Sequence, residues 1–169
     1  MNTPRHDVNG VPVPDGAIGT VRPRAPRISK LGVPACKAIL TRNHVGRLAY
    51  VFHDAVDIVP LHYVYEDEWL YGRTSPGHKL ATLHHHRWVA FEVDEIDDWF
   101  EWRSVVVRGS LYLLDEGLAL PDAREHALEV LRRFMPAAFT EDDPVPSRTM
   151  LFRIHIDSMT GRRATVAKR

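Results

Sequence analysis

The sequence has 169 residues, 44% of them hydrophobic and 26% charged, which is the ordinary mix of one globular domain. Lys and Arg together number 22, as do Asp and Glu, and this zero net charge argues against a dedicated nucleic-acid binder. The single cysteine, Cys36, excludes an intrachain disulfide and fits a reducing cytoplasm. No apolar run approaches the roughly 20 residues that span a bilayer, so we expect a cytoplasmic protein without a membrane partner.

The first 30 residues differ in composition from the rest of the chain. They contain five prolines and few aliphatic residues in periodic order. Proline removes backbone donors and breaks both helices and sheet ladders. We therefore predict an N-terminal Pro/Arg-rich arm over residues 1–30, either disordered or lying along a partner subunit, and one folded domain over residues 31–169.

Hydrophobic periodicity predicts a mainly β domain. A short helix is expected to begin near Val33, and Cys36, Ile39 and Leu40 share one of its faces. Period-two patterns then predict six strands, at Gly46–His53, Val56–Asp67, Glu68–Arg73, Arg87–Asp97, Glu101–Asp115 and Ser147–Met159. Two more helices are predicted at Leu80–His86 and Leu120–Phe134, and the residues from Thr160 onward are interpreted as a basic tail. Several strands with short turns and few helices indicate a closed antiparallel barrel.

The second predicted strand is apolar on both faces. Ile58 and Val64 lie on one side, and Leu61 and Tyr63 on the other. An antiparallel strand with one wet face should alternate, so a helix or a second subunit is expected to cover the outer face. Pro60 cannot donate to a ladder and therefore marks an interruption or a sheet edge.

The stretch YGRTSPGHKL at Tyr71–Leu80 is a candidate phosphate site. Ser75 is a candidate N-cap, and the start of a helix offers unpaired N–H groups that attract anions. Arg73 supplies a two-pronged donor, Lys79 a mobile positive charge, and Thr74 a further hydroxyl. The alternative is an ordinary capped connection between strand and helix with solvated side chains, and spacing alone leaves both open.

Two other clusters require an interpretation. Three neighbouring residues on a helix point about 100° apart, so His84–His86 cannot converge on one ion, and no metal site is predicted. Trp99, Phe100 and Trp102 are dense for a surface turn and are expected either to cover a ligand or a subunit seam, or to be ordinary surface residues.

Five segments together resemble a known family. They are VPLHY at Val59–Tyr63, YGRTSPGHKLATL at Tyr71–Leu83, VAFEVDEID at Val89–Asp97, WRSVVVRG at Trp102–Gly109 and TGRR at Thr160–Arg163. In this order and spacing the chain resembles the pyridoxamine 5'-phosphate oxidase-like flavin-nucleotide-binding split barrels, especially small actinobacterial and nitroimidazole-resistance-like members. The resemblance extends from Pro34 to Arg163.

The resemblance implies a six-stranded antiparallel split β-barrel that forms a homodimer, with FMN in a groove at the subunit interface. Three groups of residues match the cofactor-binding positions of the family. Arg73, Thr74, Ser75 and Lys79 match the phosphate segment; Val59, Pro60 and Leu61 match the strand beside the isoalloxazine ring; Trp102, Arg103 and Ser104 match the segment at the polar edge of the ring.

The function that this resemblance implies is an FMN-dependent oxidoreductase acting on a small molecule that the sequence does not identify. No Ser-His-Asp or Cys-His arrangement stands out, as expected where a flavin carries the redox chemistry. Two alternatives remain: a non-catalytic flavin carrier or sensor, and a split barrel that binds haem or a deazaflavin. Catalytic residues are not assigned.

Overall fold

A computed structural model describes residues 25–77, 83, 86–114 and 121–166. It contains seven strands and two helices in these residues. In chain order they are β1 (Arg27–Leu31), α1 (Val33–Arg42), β2 (Val45–Phe52), β3 (Ala55–Glu66), β4 (Trp69–Thr74), β5 (Trp88–Asp98), β6 (Glu101–Leu113), α2 (Pro121–Phe134) and β7 (Met150–Thr165). None of the described helices is long and apolar enough to cross a membrane.

Six of the strands close into an antiparallel barrel. The strand order is β7-β4-β3-β2-β5-β6, and a ladder between β6 and β7 closes the ring. The predicted barrel and all six predicted strands are therefore confirmed. A β-bulge lies at Gly109, where the β6–β7 register shifts between Arg108 and Gly109.

The sheet extends beyond the predicted limits at both ends of the chain. Strand β1 includes residues 27–30 of the predicted arm, and it pairs in an antiparallel ladder with the end of β7, from Arg27 opposite Thr165 to Leu31 opposite Gly161. The segment from Thr160 that we interpreted as a tail is the second half of β7. Each of these two segments supplies the hydrogen-bond partners of the other, and neither shows a strong apolar alternation of its own.

The barrel interior and one face of α1 form the main core. The predicted face of α1, made of Cys36, Ile39 and Leu40, is fully buried against it. Tyr63 from β3 packs edge-on against Phe91 from β5 and donates its hydroxyl to the Leu40 carbonyl, 2.9 Å away. This contact ties α1 to the inside of the barrel.

Helix α2 covers one part of the outer surface of the barrel. Its Ala127, Val130 and Leu131 are buried in a second cluster with Val64 of β3 and Tyr71 of β4. The predicted cover over the outer face of β3 is therefore a helix at the Val64 end. The other end of that face, around Ile58, is exposed in the single chain.

Candidate functional site

Strand β3 has one open edge along its first eight residues. Its ladder with β4 begins only at Tyr63, opposite Gly72, whereas its ladder with β2 starts at Ala55. Within the described part of the chain, residues 55–62 therefore have a strand neighbour on one side and none on the other. Pro60 lies in this segment, in agreement with the prediction that a residue without an N–H marks an interruption or a sheet edge.

Arg73 lies at the end of β4, next to this opening, and its guanidinium is engaged inside the protein. Both terminal nitrogens bind the carboxylate of Asp143, with Nη2 to Oδ1 at 2.7 Å. The two side chains are only 5% and 3% exposed. Nη2 also contacts Met135 Sδ at 3.1 Å, and the guanidinium lies 4.9 Å from the centre of the Phe139 ring. The donor expected to meet a phosphate is therefore paired with a carboxylate in this structure.

Asp143 also organises the loop that leads from α2 to β7. Its carboxylate accepts hydrogen bonds from the backbone N–H of Phe139 at 2.8 Å and of Val145 at 2.9 Å. Phe139 has a φ of 62°, a left-handed conformation that is rare for a bulky side chain. The Arg73 guanidinium, together with these two backbone donors, holds the pKa of Asp143 well below its usual range.

Beyond Asp143, this loop brings two further polar side chains to the open edge of β3. Arg148 Nη1 is 2.9 Å from Nδ1 of His62, the last residue of the open segment. Ser147 Oγ is 3.4 Å from Ser75 Oγ, just after β4. Partial burial, and secondarily the charge of Arg148, lowers the pKa of His62. His62 is therefore favoured as a neutral ring that accepts a hydrogen bond from Arg148.

The predicted residues on β6 lie elsewhere on the same chain. Strands β2 and β5 separate β6 from β3, a distance of roughly 14 Å along the sheet. Ser104 stands opposite Asp94 on β5, and Trp102 opposite Ile96. Arg103 contacts Glu95 at 3.2 Å, and Glu95 in turn binds Arg42 and Asn43.

Glu95 is the centre of that charged group. Arg42 contributes most to stabilising its carboxylate, with Asn43 and Arg103 adding to the effect, and together they lower the pKa of Glu95 to about 2. Arg103 is therefore held at one end of the barrel by carboxylates of β5.

The predicted site residues thus divide into two groups. Pro60, Arg73, Thr74 and Ser75 are near one another at the opening between β3 and β4, whereas Trp102–Ser104 are separate. Leu61 is buried in the barrel interior, and the partly buried Val59 packs against the same core cluster. Lys79 lies outside the described residues, as do His84 and His85.

From the sequence, His62 could face a cofactor but is more typical of a satisfied core or interface histidine, and Asp143 and Arg148 were not identified as site residues. The pattern of Val56–Tyr65 placed His62 in a strand, but nothing near it in the chain indicated an arginine partner. Arg148 and Asp143 are 86 and 70 residues from their respective partners. Only closure of the barrel between β4 and β7 brings them together.

Comparison with known proteins places the chain in a family. The family model for pyridoxamine 5'-phosphate oxidase matches residues 33–163. An FAD-binding protein from Mesorhizobium loti is 33% identical, with a TM-score of 0.66 over 82% of this chain and 99% of that one. An uncharacterized protein from Rhizobium meliloti is 28% identical over 76% of this chain and 90% of its own length.

A more distant structure shares the fold. An FAD- and haem-binding protein from Mycobacterium smegmatis is 16% identical, with a TM-score of 0.61 over 84% of this chain and 76% of that one. At this identity the likeness concerns the fold alone. The match over residues 33–163 and the closed six-stranded barrel agree, and the chain belongs to the pyridoxamine 5'-phosphate oxidase family, with the split-barrel fold of that family.

Proposed function

We propose that this protein binds a flavin nucleotide, FMN, at the open edge of β3 and acts as an oxidoreductase on a small molecule. The observation that carries the proposal is the opening itself, where an unpaired strand edge meets a set of basic and hydroxyl side chains. The 33% identical protein that binds FAD supports a flavin as the ligand. When bound, a flavin supplies hydride and electron transfer, which explains why the chain itself needs no nucleophile.

The residues at the opening fit the two ends of such a ligand. Pro60 and its neighbours on the open segment offer a strand edge against which a planar ring can lie. Thr74 and Ser75 offer hydroxyl donors where β4 ends, and Lys79 is proposed to add a positive charge to the phosphate. In this assignment Arg73 acts through Asp143, by fixing the loop beside the site.

A second copy of the chain is proposed to complete the site. Trp102, Arg103 and Ser104 lie too far around the barrel to reach a ligand on β3 of the same chain. Apolar side chains on the outer surface of β2, β3 and β5 are exposed; we call Val45, Val51, Val56, Ile58 and Trp88 the outer patch. A homodimer formed through this patch removes apolar surface from water and allows β6 of one subunit to approach β3 of the other.

The first experiment identifies the ligand of the protein as purified. Absorption bands near those of free flavin, and FMN as the compound released on denaturation, support the proposal. Release of FAD would instead support a second candidate function, the binding of FAD, which the 33% identical FAD-binding protein favours. A haem or deazaflavin spectrum, or failure to bind any added flavin, contradicts it.

The second experiment separates an enzyme from a carrier or sensor. The flavin-loaded protein is mixed anaerobically with NADH or NADPH, and bleaching of the flavin is followed with time. Reduction, followed by reoxidation on adding a small electron acceptor, is expected for the oxidoreductase. The non-catalytic alternative is favoured by two results together. Neither NADH nor NADPH reduces the flavin, and no tested acceptor reoxidises it after chemical reduction.

A further inference from the structure

The geometry points to Arg148 as the side chain that binds the phosphate of the flavin nucleotide, with Ser75 and Ser147 as neighbouring hydroxyl donors. This inference rests on the proposed function and deepens it by naming the anion-binding residue. It differs from the expectation drawn from the sequence, in which Arg73 had that role. The alternative basic residue, Lys79, lies outside the described residues.

Arg148 differs from five other described arginines in the partner that it has. Five other arginines among the described residues are paired with carboxylates: Arg42 with Glu95, Arg47 with Glu92 and Asp94, Arg73 with Asp143, Arg103 with Glu95 and Asp97, and Arg133 with Glu66. Within the described part of the chain, the side-chain hydrogen-bond partner of Arg148 is the His62 ring. A neutral imidazole accepts a hydrogen bond without cancelling the positive charge, so Arg148 keeps its charge for an anion.

The surroundings of Arg148 are also positive. Among the described residues, the charged or titratable groups that lower the pKa of His62 are Arg148, Arg73 and His44. Arg73 is neutralised by Asp143, which leaves Arg148 as the uncompensated cation of this set. A phosphate placed here exchanges solvent for a guanidinium that can donate two parallel hydrogen bonds.

The loop holds Arg148 at a fixed place. Its backbone N–H donates to the Val145 carbonyl at 3.1 Å, and the Val145 N–H donates to Asp143. Asp143 is in turn bound by Arg73 at the end of β4. This chain of contacts links the end of β4 to the position of Arg148, so that Arg73 is a positioning residue and Arg148 the ligand-binding one.

The hydroxyl groups supply the rest of the site. Ser147 directly precedes Arg148, and its Oγ lies 3.4 Å from Ser75 Oγ, just beyond the last pair of the β4–β7 ladder. Each hydroxyl can rotate to donate to a phosphate oxygen. The open segment of β3 ends at His62, which Arg148 contacts, so a phosphate bound here leaves the flavin ring free to lie along that edge.

The test compares FMN with riboflavin, which lacks the phosphate. Dissociation constants are measured by fluorescence quenching for the unmodified protein and for Arg148→Ala, Arg148→Lys and the control Arg132→Ala, whose side chain is exposed on α2. We expect the unmodified protein to prefer FMN at least about a hundredfold, since two or three charge-assisted hydrogen bonds act on the phosphate. Arg148→Ala should reduce the preference for FMN at least about tenfold and leave the riboflavin affinity unchanged. Arg148→Lys should keep part of the preference for FMN, and the control Arg132→Ala should keep all of it.

A second measurement needs no flavin. The His62 ring proton is titrated by NMR in inorganic phosphate and in chloride at equal ionic strength. A bound phosphate favours the imidazolium, so phosphate should raise the pKa of His62 in the unmodified protein and in Arg132→Ala, and should have no such effect in Arg148→Ala. Near-native spectra of each variant show that it is folded.

The outcomes separate the inference from the proposed function. If FMN is preferred and Arg148→Ala keeps the full preference, another cation binds the phosphate and the inference is overturned while flavin binding stands. If neither flavin binds, the proposed function fails, and the phosphate titration alone decides whether Arg148 forms an anion site. Equal pKa values of His62 in phosphate and chloride would then reject it.

Discussion

The guanidinium of Arg73 and the carboxylate of Asp143 form a buried ion pair that fastens the end of β4 to the loop between α2 and β7. Each side chain also has contacts outside the ion pair. Arg73 lies over the Phe139 ring, and Asp143 accepts two backbone hydrogen bonds. A buried charge is costly when unpaired, so the two residues depend on each other. Because the loop carries Arg148, the pair also determines the shape of the proposed site.

Removing one charge of this pair should destabilise the protein. We expect Asp143→Asn to lower the melting temperature by at least about 6 °C, because it leaves the buried guanidinium without a counter-charge. The double variant Arg73→Met with Asp143→Asn should melt above Asp143→Asn alone, since neither charge is then left unpaired. Calorimetry of the single and double variants measures this. Losses that simply add would show that the two side chains are not coupled.

The same pair should make stability depend on pH in the acid range. The folded-state pKa of Asp143 is depressed, so its contribution is present above the pKa of about 3.9 that the group has when unfolded, and is lost as the pH falls through the folded-state value. The free energy of unfolding of the unmodified protein should therefore fall more steeply below about pH 4 than that of Asp143→Asn. Urea titrations at several pH values compare the slopes, and parallel curves would contradict the assignment.

The fold was largely predictable from the sequence because buried and exposed side chains alternate along most of its strands, which gives an alternation of residue types with a period of two. In β2, for example, Leu48 and Tyr50 are buried while Arg47 and Val51 are exposed, a clear period of two. Strand β1 has no fully buried side chain, so its pairing leaves no such pattern. The second half of β7 was missed for a related reason, since Arg162 and Arg163 are exposed there.

The site was predictable only in part. The segment around Thr74 and Ser75 lies at the opening because a strand ends there, which local sequence can indicate. Whether Arg73 faces a ligand or a carboxylate depends on Asp143, 70 residues later in the chain. No local pattern contains that information, because β4 and β7 become neighbours only when the barrel closes.

The outer patch predicts that the protein is a homodimer. Val51 and Val56 face each other across the β2–β3 ladder, and Ile58, 60% exposed, follows on the same surface. Light scattering with flavin present should give a mass near twice 19.3 kDa, and Ile58→Lys should shift the protein toward monomers. Ile28→Lys, an equally exposed isoleucine on β1, is the matched control and should not. A monomer mass for the unmodified protein at micromolar concentration would contradict the dimer.

Two truncations test the boundary between the N-terminal arm and the domain. A chain that begins at Ala25 keeps β1, and we expect it to melt cooperatively near the temperature of the full chain, because the composition of residues 1–24 cannot build a core. A chain that begins at Gly32 loses the whole β1–β7 ladder and the Leu31 side chain, which packs on the main core, so it should melt at least about 5 °C lower. Calorimetry of the two proteins, with the full chain as reference, measures both differences. If the chain beginning at Ala25 is itself insoluble or melts without cooperativity, residues 1–24 are needed for the fold and the arm is part of the domain. If the two truncated chains melt at the same temperature, β1 adds no stability and the domain begins at α1.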